Sequence, residues 1–156
     1  MSRPGGDRTA TGSRDEADRS SILAELSRSN ADTLMATLGI EFSRIGNGFL
    51  EATMPVEPRH HQPMGILHGG ATAALAESVG SMASAVELAA SGRHAVGIEL
   101  AINHVASVRS GALTARAEPA HLGRSTHLWQ IRIADQDRKL IALAKITLIV
   151  LAGKDG

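Results

Sequence analysis

The chain has 156 residues, 43% of them hydrophobic, with 16 Lys and Arg against 16 Asp and Glu and no Cys. That is enough for one domain of ordinary size. Zero formal net charge argues against nucleic acid or an anionic membrane surface as the main partner, and the missing thiols exclude disulfides, thiolate catalysis and cysteine metal sites.

No apolar run approaches the roughly 20 residues of a membrane span, and the N-terminus lacks a hydrophobic signal core, which predicts a soluble, cytoplasmic protein. Residues 1–20, dominated by Ser, Thr, Gly, Asp and Arg, offer almost nothing to bury and read as a disordered tail, leaving 21–156 as a single domain. Ile22, Leu23, Leu26, Leu34, Met35 and Leu38 recur at helical intervals. One or two short helices are expected there, with a break and N-cap at Ser29-Asn30-Ala31-Asp32.

From Gly39 the pattern turns to strands: Ile40 to Ile45, a Gly46-Asn47-Gly48 turn, then Phe49 to Val56, where Leu50, Ala52 and Met54 alternate with Glu51 and Thr53. Gly70 to Ala90 reads as a long helix, thin because of its Ala and Gly and stopped by Ser91-Gly92. Four further strands are expected over Ala95 to Val105, Ala112 to His121, Thr126 to Asp135 and Leu140 to Leu151, with Asp135-Gln136-Asp137 as the last hairpin turn. The order ββαββββ, with one long helix needing cover, predicts an α+β fold in which an antiparallel sheet wraps that helix.

The chemistry concentrates in Gln62-Pro-Met-Gly-Ile-Leu-His68-Gly69-Gly70, followed along the helix by Glu77 and Ser81. Gly69 and Gly70 open a helix with uncovered N–H groups at the positive end of its dipole, suited to a developing oxyanion. Glu77 comes nine residues after His68, which at roughly 100° and 1.5 Å per residue puts it about 13 Å away on the opposite face. A carboxylate must come within about 3 to 3.5 Å of the atom it attacks or deprotonates. Glu77 therefore cannot serve a carbonyl held at its own Gly69, and a two-fold dimer with two equivalent sites is predicted. Ser81, one turn on, is placed to orient the carboxylate. Taken singly, each of these residues has an ordinary structural explanation, but Glu77 is unusual among the apolar and small residues Ala73, Ala74, Ala76, Val79 and Gly80.

Three stretches together resemble the hotdog-fold thioesterases of the hydroxybenzoyl-CoA type: Leu50 to Ser84, Val96 to Val105, and Pro119 to Ile131. Within the family the likeness is greatest to the dihydroxynaphthoyl-CoA thioesterase of menaquinone synthesis and the proofreading thioesterase of enterobactin synthesis. The resemblance implies an acyl-CoA hydrolase assembled as a homodimer and then a dimer of dimers, working without cofactor or metal. It implies Glu77 as nucleophile or general base, Gly69 N–H as oxyanion donor, Gln62 polarising the carbonyl or holding water, and His68 positioning Gln62 or the leaving thiolate. His104 is implied as an acyl contact. Met82 and Met64, with Leu67 and Ile66, are expected to line an acyl pocket beside Gly70, because Phe42, Phe49 and Trp129 are the only Phe, Trp or Tyr in the chain.

The turn at His121-Leu122-Gly123-Arg124-Ser125-Thr126 pairs a glycine with a cation and hydroxyls, suited to a phosphate or the pantetheine arm, and the resemblance puts it near the CoA tail. Arg93 and Arg109 are further candidates for the phosphates. Where relatives carry Arg, or an aromatic followed by Arg-Pro, this chain has Val105-Ala106-Ser107-Val108. A metal site at His60, His61 and His68 is disfavoured, since tandem histidines in an extended segment face opposite ways and no spaced carboxylate completes the set. Serine-hydrolase and nucleotide-binding motifs are absent from the sequence. Two rivals stay open, hydrolysis of a misacylated acyl carrier protein and a non-catalytic acyl-thioester binding module; hotdog dehydratase or hydratase chemistry needs an acid–base His pair with Asp, and no such motif stands out.

Overall fold

The computed structural model describes residues 9–153, with side chains from Asp18 onward. Helix α1 spans Thr9–Ser29 and α2 spans Leu34–Leu38. The expected tail thus gives way to helix from Thr9; residues 1–8 lie outside the described residues. The break after α1 falls where expected, but the N-cap of α2 is Thr33, whose side chain accepts from Ala36 N, and not one of residues 29–32. Leu23 and Leu26 lay the apolar stripe of α1 on the core.

Strands β1 (Glu41–Gly46) and β2 (Phe49–Val56) form the predicted hairpin, Gly48 taking φ 74° at the turn. Leu50, Ala52 and Met54 are buried as the alternation requires. Glu51 is buried on the other face as well, because Arg116 Nη1 (2.8 Å) and Arg44 Nη1 (3.2 Å) satisfy its carboxylate. Helix α3 runs Gly69–Leu88, continues as a 3-10 turn to Ser91, and stops at Gly92 with φ 65°. Strands β3 (His94–His104), β4 (Gly111–Leu122), β5 (Thr126–Asp135) and β6 (Leu140–Leu151) follow. In the last hairpin Asp135 Oδ1 accepts from Asp137 N and Lys139 N, which holds Arg138 at φ 63°.

The six strands form one antiparallel sheet in the order β1-β2-β4-β5-β6-β3. Its concave face wraps α3, which touches every strand from β2 to β6. Small residues let the helix sit deep: a methyl group on Gly80 would lie 2.5 Å from Ile146 Cγ2. Farther along α3, the buried Ser84 hydroxyl accepts from Trp129 Nε1 at 2.7 Å and meets His127 Nδ1 at 3.0 Å. Burial pushes the His127 imidazole below its ordinary pKa, against the opposing pull of Glu87. Among the described residues no helix is long and apolar enough to cross a membrane.

Candidate active site

The loop before α3 is fastened by backbone bonds and by three side chains. His60, buried in a 3-10 turn, accepts from Glu57 N at Nδ1 and donates from Nε2 to Leu38 O, tying the loop to α2. Gln62 N donates to Ile66 O and Gly65 N to Gln62 O, with Gly65 at φ 69°. Arg109 Nη1 donates to Gly65 O at 3.0 Å, His61 Nε2 to Arg109 O, and Leu67 N to Val108 O. Arg109 therefore braces the loop, a role distinct from the phosphate contact considered from sequence.

His68 is the N-cap of α3. Its Nδ1 accepts from Gly70 N at 2.7 Å, while its carbonyl takes Ala71 N and Thr72 N. Of the first-turn amides, Gly69 N–H alone is left without a partner among the described hydrogen bonds. The His104 ring stands against Gly69, so close that a methyl group there would sit 3.0 Å from Cε1. Gln62, Gly69, Thr72 and His104 line a cavity of about 440 Å³. The Gln62 oxygen accepts from Met64 N at 3.4 Å, leaving its NH₂ for a ligand.

Glu77 opens onto a different cavity of about 410 Å³, shared with Ser81, Met82, Ala85, Leu34 and Ala95. Ser81 Oγ donates to Glu77 Oε1 at 3.3 Å, as the one-turn spacing predicts. Among the described residues none lines both cavities. The structure thus brings Gln62, Gly69 and His104 together, and separately Glu77, Ser81 and Met82.

The other expected site residues are arranged differently from the expectation. Met64 is 73% exposed and borders neither cavity, while Ile66 and Leu67 line the Gly69 side and so do not join Met82 in one acyl pocket. His68 and Gly70 are occupied with each other at the cap. Gly123, Arg124 and Ser125 form the β4–β5 turn, where Arg93 Nη1 donates to Arg124 O and Val150 N to Ser125 O. Leu34, Met35 and Ala95 beside Glu77 were not anticipated; the helical spacing of Leu34 and Met35 was the signal, but nothing in it pointed toward α3. A third cavity, about 490 Å³, lies on the outer sheet face among Arg116, Arg132 and Lys145 and holds none of the expected residues.

A six-stranded antiparallel sheet curled round a long central helix defines the hotdog fold of the thioesterases. Residues 64–142 match the Thioesterase superfamily, and the chain belongs to that family and hydrolyses thioesters. It is 41% identical over 133 residues to the proofreading thioesterase EntH of Cronobacter turicensis, covering 85% of this chain and 96% of the relative. A thioesterase of Haemophilus influenzae superposes with TM-score 0.82 at 42% identity, covering 85% of this chain and 92% of its own. A thioesterase of Pseudomonas aeruginosa, solved as a mutant, gives TM-score 0.80 at 43% identity over 83% of this chain and 93% of that one.

Proposed function

We propose that the enzyme hydrolyses acyl-CoA thioesters at sites shared between two subunits, each site pairing the Gly69 cavity of one with the Glu77 cavity of the other. One observation carries this reading: the free amide and the carboxylate open into separate cavities of the protomer. The thioester oxygen accepts from Gly69 N–H and from the Gln62 NH₂, with the acyl group in the apolar cavity beside the partner subunit's Glu77. That carboxylate attacks the carbonyl carbon itself or takes a proton from an attacking water. In the water route the C–O bond forms as the proton moves to Glu77, and the oxyanion is held at the helix N-terminus. Collapse breaks the C–S bond, and the thiolate recovers the proton, giving free acid and CoA.

Strand β3 supports the pairing. It is a sheet edge 11 residues long, and Val96 and Ile98 on it are 48% and 60% exposed. An edge of this length and apolarity is suited to meeting a second copy. A dimer of dimers would use the outer sheet face, where Leu143, Ile149 and Leu151 stand exposed. The acyl wall of Leu34, Met35 and Met82 fits an uncharged, apolar acyl group, and the resemblance favours an aryl one, such as a hydroxybenzoyl or dihydroxynaphthoyl group. A carrier protein presents the same bond on the same pantetheine arm, and the likeness to a proofreading thioesterase keeps that substrate as the second reading.

Complementation tests the shared site. Glu77→Ala and Gln62→Ala chains, each impaired as homodimers, are mixed after reversible dissociation, and thiol release from benzoyl-CoA and from acyl carrier protein is measured. Random pairing puts half the dimers in the mixed state with one intact site of two, so about one quarter of wild-type activity returns. If activity stays at the level of the two variants alone, the shared site is wrong.

A further inference from the structure

Gly97 lies on β3, paired with Leu148, where the register shifts before Glu99. A Cβ built on it would overlap Glu77 Oε1, and the next nearest atoms are also of that carboxylate, Cδ at 3.3 Å and Oε2 at 3.6 Å. The contrast with Gly80 is informative. A methyl group on Gly80 would strike Ile146 Cγ2 and approach Ile131 Cδ1, both on core side chains, so that glycine serves packing. At Gly97 the backbone lies outside the left-handed region, and what stands in the way is the movable end of one side chain. The chain itself would accept alanine there; the carboxylate in its present place would not.

We propose that Gly97 is a positioning residue for Glu77. The missing side chain opens a slot between β3 and α3 in which the carboxylate rests, its Oε1 against the strand backbone and held from the helix side by the Ser81 hydroxyl. Any larger residue at 97 turns the carboxylate out of this slot while leaving the fold intact. The proposal rests on Glu77 being the reacting carboxylate. It adds that the position of Glu77 is set from β3 as well as from its own helix.

The test is a double-mutant cycle in the full-length protein: wild type, Gly97→Ala, Glu77→Ala and the double variant, assayed with benzoyl-CoA and with acyl carrier protein charged with benzoate. Thermal melting and crystal structures of each accompany the kinetics. A carboxylate displaced by about 1 Å costs on the order of 10²-fold. Gly97→Ala is therefore expected to lose about 10²-fold in kcat with KM within about threefold, to melt close to wild type, and to show the Glu77 carboxylate displaced. In the Glu77→Ala background the same change is expected to do nothing further, because the group it moves is gone.

Full activity in Gly97→Ala beside a crippled Glu77→Ala overturns the role of Gly97 alone, as does an unmoved carboxylate or an equal further loss in the double variant. Full activity in Glu77→Ala overturns the reading of Glu77 and, with it, any catalytic meaning of the slot. If Gly97→Ala is unstable, a double variant that melts normally assigns the instability to the clash with Glu77, in support of the slot; an equally unstable double variant makes Gly97 a packing residue and sinks the proposal.

Discussion

The two cavities along α3 differ in kind. The one at the helix start offers donors, Gly69 N–H and the Gln62 amide, set by a loop held through its own backbone and by the His60, His61 and Arg109 side chains. The one two turns further on offers a carboxylate and an apolar wall, set by side chains from α2, α3 and β3. A donor site without a base can hold a thioester and leave it intact; a base without donors can meet a carbonyl and leave the oxyanion unsupported. The contrast lies in where this helix presents its polar groups: donors and carboxylate open into separate cavities, and assembly of subunits is what the proposal uses to reunite them.

Removing one function from each side is the most forceful way to break that division. Glu77→Gln keeps the size of the side chain and an oxygen for Ser81 Oγ but removes the charge, and thiol release from the best acyl-CoA is expected to fall by about 10²-fold or more in kcat. Gln62→Ala leaves Gly69 N–H in place and is expected to cost less, between about 10-fold and 10²-fold, also in kcat. A Gln62→Ala enzyme that changes only KM would make Gln62 a binding group, and the donor side would then rest on the glycine amide alone.

A smaller effect sharpens the character of the acyl wall. Leu34 lines the Glu77 cavity and is 64% exposed in the protomer, so its side chain is free to meet an apolar acyl group there. Leu34→Ala is expected to lower kcat/KM about 10-fold for benzoyl or longer acyl-CoA esters and to leave acetyl-CoA unchanged, since a few buried methylenes discriminate by roughly this amount. Equal losses across the acyl series would show that α2 serves the fold and not the substrate.

The strands were legible because their signals are local. The alternation of Leu50, Ala52 and Met54 and the turn residues around β5 and β6 fixed the elements to within a residue or two. The separation of Gly69 from Glu77 was legible as well, since eight residues of helix put them about 12 Å apart along the axis. What escaped the sequence was whatever depends on partners far along the chain. The slot at Gly97 joins residues 77 and 97; the Ser84, His127 and Trp129 cluster spans separations of 43 and 45 residues. Neither has a periodicity to reveal it. Helix α1 was cut short for another reason: residues 9–20 carry little apolar surface, and hydrophobic period, the strongest clue to a helix, is missing there.

The third region of α3 supplies the mildest prediction and a control for the other two. His127 is buried at Ser84 and lines neither cavity, and burial holds its pKa below the ordinary 6.5, with Arg93 and His121 pushing the same way and Glu87 opposing. An imidazole depressed in the folded state takes up its proton more readily when the chain unfolds. Its contribution to stability is therefore complete above pH 6.5, falls as pH drops below that value, and levels off once the folded ring is itself protonated. Urea midpoints at pH 8, 6.5 and 5 are expected to fall in that order, and His127→Gln to flatten the part of the slope that belongs to this ring. A slope unchanged by that substitution would move the acid sensitivity to another group. Since the cluster shares no residue with either cavity, kcat measured on the folded fraction at pH 8 is expected to stay the same, which separates what holds α3 in the sheet from what α3 presents to the thioester.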